Sequence, residues 1–119
     1  MQLPAEFSRT ITQLYGERGQ RWLAELPALL GTFAQRWGLA LGAPFTLSYN
    51  YVAPATRADG SAAVLKVGVP NPELLSEIAA LRHYAGRGIV RLLDADADAG
   101  ALLIERLAPG VPLAQLSND

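Results

Sequence analysis

The chain contains a single lysine, and the position of that lysine constrains the fold more than any other feature of the sequence. Lys66 stands inside the run Ala-Val-Leu-Lys-Val-Gly-Val-Pro at residues 63–70, whereas the other nine basic residues are arginines. This apolar run predicts a β-strand from about Ala62 to Val69. Because side chains alternate across a strand, Lys66 leaves the sheet on the face opposite an aliphatic row of Leu65, Val67 and Val69.

An ammonium group in such a strand needs an anionic partner, because burying an unpaired charge is costly. Since arginine serves as the cation elsewhere, the retained lysine indicates a need for a compact ammonium rather than a guanidinium fork. Glu77 lies one turn after Leu74, at the border of the apolar stripe of the next predicted helix, and is directed toward the sheet if that stripe packs there. The sequence therefore predicts a Lys66–Glu77 pair that holds the ammonium extended toward an anion.

Two simpler interpretations of these residues remain open from the sequence alone. Lys66 can extend along the sheet surface and keep its amine in water, and Glu77 can be a solvated helix carboxylate. Glu73 is a competing partner for the lysine, although its place in the first helical turn, at the positive end of the helix dipole, accounts for it.

Helical periodicity dominates the first forty residues. Apolar side chains recur there at helical spacing and predict two helices, with a break near Gly16–Gly19 and a C-terminal cap at Gly38. Pro27 lies inside the second pattern and predicts either a kink or a helix that restarts there. A third helix is predicted to begin at Asn71, which caps it, and to run to about Ala85.

Apolar runs and turn signals predict two antiparallel hairpins. Residues 45–52 alternate apolar and polar side chains and predict a half-buried strand, which the turn signal Asp59-Gly60 connects to the strand of Lys66. Residues 89–93 and 101–107 predict two more strands, joined by an acidic turn at 94–100. Together with the helices, this order predicts an α+β fold: an antiparallel sheet of four to five strands with one packed helix, preceded by an N-terminal helical pair.

Composition and charge exclude several classes of function. With 119 residues the chain is expected to form one hydrophobic core. Its ten basic and eleven acidic residues leave a net charge of −1 without a block of either sign, which argues against a nucleic-acid partner. The lack of a long apolar run and of a signal pattern argues against a membrane partner and leads us to expect a cytoplasmic location. The sequence has no cysteine for disulfides, thiolate catalysis or zinc.

Two further groups of polar residues carry no predicted chemistry. The single histidine, His83, sits late in the third helix, where the helix dipole accounts for a cation. Asp94, Asp96 and Asp98 alternate in a turn, but this turn lacks the central glycine and the bidentate glutamate of a calcium loop. We therefore expect a solvated acidic turn there.

Three segments of the chain, in this order, carry a resemblance to a known family. They are YVAPATRADGSAAVLKVGVP at 51–70, EIAALRHYAGRGIVRLLDAD at 77–96 and GALLIERLAPGVPLAQL at 100–116. They resemble the aminoglycoside phosphotransferase family, in particular its streptomycin 6-phosphotransferase branch, also described as aminoglycoside/hydroxyurea antibiotic resistance kinases. The resemblance implies a protein-kinase-like N-terminal lobe at residues 41–107, preceded by a helical segment at 1–40 and followed by an inter-lobe linker at 108–119.

The resemblance also implies that the chain binds the phosphates of ATP. Lys66 is expected to contact the α- and β-phosphates, and Glu77 is expected to orient Lys66. The segment near residues 48–52 is expected to cover the triphosphate. Because this segment lacks a Gly-x-Gly-x-x-Gly motif, its phosphate contacts are expected to come from Ser48, Asn50 or backbone amides.

The adenine is expected to meet the segment Glu105-Arg106-Leu107, which resembles the linker between the two lobes of a kinase. The backbone carbonyl of Glu105 and the backbone amide of Leu107 are the groups that would hydrogen-bond the adenine edge. The alternative for these residues is an ordinary edge strand.

The resemblance places the rest of the kinase in a C-terminal lobe beyond this chain. That lobe is expected to supply the magnesium ligands and the acceptor pocket, so that no catalytic residue and no metal ligand is assigned here. Transfer to a hydroxyl of an aminoglycoside such as streptomycin is implied only when both lobes are present. We expect an exposed apolar surface, and a homodimer formed through it, around Leu103, Leu107, Val111 and Leu116.

Two other functions remain open from the sequence. The chain can be a non-catalytic α+β interaction or dimerisation module in which the Lys–Glu pair is structural, or a regulator of a separate kinase. Protection of Lys66 by ATP against an amine-reactive probe separates a nucleotide-binding lobe from the first alternative. A stable partner that copurifies would indicate the second.

Overall fold

A computed structural model describes residues 3–45, 47–84 and 90–106 of the chain. Within these residues the chain forms three helices, α1 (Ala5–Tyr15), α2 (Glu17–Arg36) and α3 (Pro72–Tyr84). It also forms five strands, β1 (Leu39–Leu41), β2 (Tyr51–Arg57), β3 (Ala62–Val67), β4 (Leu92–Asp96) and β5 (Ala101–Glu105). The strands make one antiparallel sheet in the order β1-β2-β3-β5-β4. The predicted α+β class and antiparallel sheet are confirmed.

The helical pair α1–α2 and one face of the sheet form the main hydrophobic core. Both helices turn apolar stripes inward, and buried residues such as Phe7 and Leu26 belong to the same cluster as Leu65 and Leu103 of the central strands. Each fully buried side chain of this size contributes about 1.5–3 kcal/mol of transfer free energy. The aliphatic row predicted on the strand of Lys66 is confirmed, because all three of its members are buried: Leu65, Val67 and Val69.

Helix α3 packs on the opposite face of the sheet. Its buried residues Leu74 and Ile78 form a small cluster with Leu102 of β5. Leu102 is the register partner of Lys66 across β3 and β5, so the two side chains share a face. Lys66 therefore points to the face that α3 covers, away from the main core.

The predicted helical pair is present, and its second helix is continuous rather than divided at Pro27. The break falls at Gly16, whose φ of 60° suits a residue without a Cβ, and Gly38 follows the end of α2 with a φ of 62°. Helix α2 runs without a boundary through Pro27. A restart at this position is therefore wrong, because burial of the stripe that includes Leu26 and Leu30 outweighs one missing backbone hydrogen bond.

The strand predicted at residues 45–52 is wrong over most of its length. The strand before the turn is β2, Tyr51–Arg57, and it includes Pro54. The tight turn at Asp59-Gly60, which is confirmed by the φ of 88° at Gly60, sets this register, because the first arm of the hairpin must end beside it. Pro54 is tolerated there because its backbone points away from β3: its carbonyl accepts a hydrogen bond from the amide of Gly42 at 2.8 Å. The missing N–H of the proline therefore removes no hydrogen bond between β2 and β3.

The first strand of the C-terminal hairpin lies later in the sequence than predicted, whereas the second strand begins at Ala101 as predicted. Strand β4 begins at Leu92, carries an irregularity between Leu92 and Asp94, and includes Asp96, so that the turn is shorter than the predicted 94–100. Asp96 is consequently not a solvated turn residue, because its carboxylate accepts a hydrogen bond from Arg36 at 2.7 Å. The register is fixed by a turn that ends at Gly100, where φ is 74°. The predicted ends of these strands at residues 89 and 107 lie outside the described residues.

Leu103 does not belong to an exposed surface, contrary to the predicted dimer interface. Its side chain is 1% exposed and lies in the main core. Strand β5 lies between β3 and β4, so that its alternate residues face the helical pair. The other three residues predicted for that interface, Leu107, Val111 and Leu116, lie outside the described residues. None of the helices described here is long and apolar enough to cross a bilayer.

Candidate functional site

The predicted Lys66–Glu77 pair is present in the structure. The Nζ atom of Lys66 donates to both carboxylate oxygens of Glu77, at 3.0 Å and 3.1 Å. Lys66 is 3% exposed as a residue, whereas the side chain of Glu77 is 33% exposed. The interpretation in which Lys66 extends its amine into water is therefore wrong. The carboxylate stands at the edge of the site and the ammonium lies inside it.

The local sequence explains why α3 presents Glu77 to β3. The helix begins where Asn71 predicts it, because the Oδ1 atom of Asn71 accepts a hydrogen bond from the amide of Leu74 at 3.0 Å. Leu74 and Ile78 then bury one stripe of the helix on the sheet. Glu77 lies three residues after the first and one before the second, at the edge of that stripe, and so reaches the strand of Lys66.

The pair orients the ammonium rather than adding much stability. Removing two charges from water cancels most of the Coulomb attraction between them. Two hydrogen bonds to one carboxylate, however, fix the direction of the lysine side chain. The arrangement can therefore hold a positive charge in one place on this face of the sheet.

The loop between β1 and β2, residues 42–50, contains both residues that were predicted to contact phosphate. Asn50 is half-buried, and a Cβ added to Gly68 would overlap its Oδ1 atom. Because Gly68 follows Lys66 by two residues, the structure brings Asn50 next to the strand of the lysine. Ser48 is exposed, and no described contact draws it toward Lys66.

Three apolar residues share the face of Lys66, and two of them, Val52 and Ile104, were missed by the sequence reasoning. Val52 is the register partner of Lys66, and Val64 is the partner of Ile104. All three are half-buried, and together with the lysine they form a partly open apolar face. The alternation of β3 identifies Val64, which stands two residues before Lys66. Val52 could not be found this way, because the predicted register of its strand was wrong.

The end of β5 carries the residues that were predicted to meet adenine. The carboxylate of Glu105 accepts a hydrogen bond from the amide of Arg91 at 2.9 Å, and its own amide donates to the carbonyl of Arg91 at 3.0 Å. Glu105 is thus tied to the start of β4. The guanidinium of Arg106 lies 5.6 Å from the ring centroid of Phe45, which links the loop of residues 42–50 to the end of β5. Leu107 lies outside the described residues.

A family model described as aminoglycoside/hydroxyurea antibiotic resistance kinase matches residues 40–119, which include the whole candidate site. The chain belongs to this kinase family. Its similarity to two streptomycin 6-kinases is 38% identity over 120 residues for the enzyme of Streptomyces glaucescens and 36% over 118 residues for that of Streptomyces griseus. A hydroxyurea phosphotransferase of Kitasatospora aureofaciens is 39% identical over 117 residues.

The chain spans little more than a third of these kinase relatives. The three alignments cover 98–100% of this chain but only 34–39% of each relative. No solved structure matches the chain. The family match therefore covers the region of the Lys66–Glu77 pair, while most of the length of each relative lies outside the alignment.

The described part of the chain contains no cluster of three acidic or histidine side chains that could hold a metal ion. Asp96 is engaged by Arg36, and its carboxylate also accepts a hydrogen bond from the amide of Ala99 at 3.1 Å. These contacts, first of all the one with Arg36, lower the pKa of Asp96 below its ordinary value. His83 is exposed in the last turn of α3.

Proposed function

We propose that this chain is the nucleotide-binding lobe of an ATP-dependent phosphotransferase. The observation that carries the proposal is the ammonium of Lys66, held by both carboxylate oxygens of Glu77 on one face of an antiparallel sheet. A lysine strand followed by a glutamate helix and a β-hairpin is the arrangement of a kinase-like N-terminal lobe. Membership of an antibiotic resistance kinase family supports the same function.

Lys66 would act on the α- and β-phosphates of ATP as a fixed positive charge. Phosphoryl transfer depends on positioning and on stabilising charge rather than on covalent chemistry by the protein. An ammonium that is already oriented by Glu77 needs no rearrangement when the phosphates arrive. The loop at 42–50, with Ser48 and Asn50, would lie over the phosphates.

The apolar face beside Lys66 would receive the adenine. Val52, Val64 and Ile104 offer half-buried surface of the kind that lines nucleotide pockets. The backbone carbonyl of Glu105 and the amide of Leu107 would hydrogen-bond the edge of the base. Magnesium ligands and the acceptor pocket would come from a C-terminal lobe, and a cytoplasmic location fits a kinase that uses ATP.

The acceptor of the complete enzyme would be a hydroxyl group of an aminoglycoside such as streptomycin. Two of the three relatives bear the name streptomycin 6-kinase, and they support this acceptor. The hydroxyurea phosphotransferase supports hydroxyurea as a second candidate, because its identity to this chain, 39%, is as high as that of the streptomycin enzymes.

The single lysine makes nucleotide binding testable at one atom. The chain is treated with an amine-reactive probe with and without Mg-ATP, and labelling of Lys66 is read by peptide mass spectrometry with the N-terminal amine as internal control. We expect ATP to slow the labelling of Lys66 and to leave the N-terminal amine unchanged. Equal labelling of Lys66 with and without ATP would favour the non-catalytic module with a structural ion pair.

A hybrid protein tests the role of Lys66 in phosphate transfer. This chain replaces the aligned segment of the Streptomyces glaucescens streptomycin 6-kinase, which supplies the acceptor pocket, and transfer of phosphate to streptomycin is measured. We expect activity in the hybrid, and at least a hundredfold loss in the variant Lys66→Met because the fixed charge is removed. A folded hybrid whose activity is unchanged by Lys66→Met would rule out the proposed role of the lysine.

A further inference from the structure

The connection between β3 and α3 determines how Glu77 stands relative to Lys66. It consists of residues 68–71, since β3 ends at Val67 and α3 begins at Pro72. One end of the connection leads directly to the strand of the lysine and the other to the helix of the glutamate. A shift of this short segment therefore changes the distance between the two charged groups.

Two residues at the junction of α1 and α2 hold this connection. The guanidinium of Arg18 donates a hydrogen bond to the carbonyl of Pro70. The side-chain amide of Asn71 donates to the hydroxyl of Tyr15 at 3.2 Å and to the carbonyl of Val69 at 2.8 Å. The contacts of Arg18 and Tyr15 join segments that are more than fifty residues apart in the sequence. Tyr15, Arg18 and Asn71 are called the clamp below.

The clamp is anchored to the main core. Helices α1 and α2 meet so closely at Gly19 that an added Cβ would lie 2.6 Å from the carbonyl oxygen of Ile11. The aromatic rings of Phe7 and Trp22, both buried, are 6.1 Å apart across the same two helices. Tyr15 and Arg18 therefore project from a rigid pair of helices rather than from a free terminus.

The clamp also connects directly to the helix of Glu77. Asn71 uses its amide nitrogen for Tyr15 and its amide oxygen for the amide of Leu74 in the first turn of α3. Leu74 in turn packs with Ile78, the residue after Glu77. A single side chain thus links the helical pair to the start of α3.

We propose that the clamp of Tyr15, Arg18 and Asn71 makes the helical pair a positioning device that keeps Glu77 opposite Lys66. The residues of the clamp are positioning residues, because none of them touches the ammonium. The consequence for phosphate transfer rests on the proposed function. The positioning itself does not, since the Lys66–Glu77 distance exists without nucleotide.

The labelling rate of Lys66 in the absence of nucleotide tests the positioning. The variant Tyr15→Phe/Arg18→Met removes the acceptor hydroxyl of Tyr15 and the donor guanidinium of Arg18, and it introduces no second lysine. We expect Lys66 to react about threefold to tenfold faster in this variant, the factor that corresponds to the loss of one ordinary hydrogen bond. The rate should rise because the two hydrogen bonds to Glu77 no longer hold the Nζ atom and shield it from the probe.

Arg9→Met is the matched control. Arg9 is an exposed arginine of α1, six residues before Tyr15, so the variant makes the same chemical change outside the clamp. In a Glu77→Gln background the clamp substitutions should add nothing to the rate, because the carboxylate they position is gone. An unchanged Lys66 rate in a folded clamp variant would overturn the proposal, as would an equal increase in Arg9→Met.

A merely structural role of the clamp would lower the melting temperature and leave the Lys66 rate in the folded protein unchanged. If the double variant does not fold, Tyr15→Phe alone decides by the same comparison, because it removes a single oxygen atom. Failure of ATP to protect Lys66 in the unsubstituted chain would contradict the proposed function only. The nucleotide-free rates would still confirm or refute the clamp.

Discussion

Lys66 is buried more deeply than Glu77, and this difference in burial determines how the stability of the protein would respond to substitution of each residue. The ammonium is almost entirely enclosed, whereas a third of the carboxylate side chain faces solvent. If Lys66 is replaced, the carboxylate of Glu77 can be hydrated without moving, because part of it already faces solvent. An ammonium that loses the carboxylate remains inside the protein, where hydration is poor.

We therefore expect Glu77→Ala to destabilise the protein more than Lys66→Met. Glu77→Ala should lower the free energy of unfolding by about 2 kcal/mol, below the range for a fully buried pair because the carboxylate is partly exposed. Lys66→Met replaces the charge with an apolar side chain of similar length and should change it by less than about 1 kcal/mol. Urea denaturation of both variants measures the difference.

A larger loss of stability in Lys66→Met than in Glu77→Ala would contradict this asymmetry. It would mean that the lysine contributes through packing of its stem rather than through its charge. Glu73→Ala is the control, because Glu73 is exposed in the first turn of the same helix and carries the same charge.

The elements that could be predicted from the sequence are those whose signal is local. Helix α3 follows from the cap at Asn71 and from its apolar stripe, and β3 follows from its unbroken apolar run. The start of β2 and the whole of β1 could not be predicted, because a pairing register depends on the turn and on the neighbouring strand. The Lys66–Glu77 pair was predictable because it needs only the face of one strand and one stripe of one helix.

Helix α2 is tied to the far edge of the sheet by an ion pair that the sequence did not reveal. Arg36, in the last turn of α2, bonds to Asp96 at the end of β4, sixty residues later. The side chains are 50% and 27% exposed, so that solvent screens their attraction. A pair of this kind contributes about 0.5 kcal/mol.

The lowered pKa of Asp96 gives this ion pair a pH dependence of known sign. Because the pKa is lower in the folded than in the unfolded state, the stabilisation is present at neutral pH. It should be lost as the pH falls below about 4, the ordinary value for an aspartate. We expect Asp96→Asn to be less stable than the unsubstituted chain at pH 7, and we expect the difference to shrink as the pH falls through the lowered pKa of Asp96, as measured by urea denaturation. A difference that grows toward acid would contradict the assignment.

Helices cover both faces of the sheet, and the two helical layers differ in how many buried apolar residues hold them to it. The main core joins the helical pair to β2, β3 and β5, whereas α3 is held by a cluster of three buried residues, Leu74, Ile78 and Leu102. A layer with fewer buried apolar contacts opens more easily than the rest of the protein. The helix that carries Glu77 is thus the element most able to move relative to Lys66. A clamp at the start of this helix can therefore change the distance between Lys66 and Glu77.

Two isoleucines test this difference between the layers. Ile11 of α1 and Ile78 of α3 are equally buried, at 0% and 1% exposure, and each is changed to alanine. We expect Ile11→Ala to lower the free energy of global unfolding by about 2–4 kcal/mol and to speed hydrogen exchange in α2 and β3 together. Ile78→Ala should speed exchange mainly within α3 and leave the protection of α2 nearly unchanged. Equal acceleration in α2 by both variants would mean that the two layers unfold as one unit, and that α3 does not move independently of the sheet.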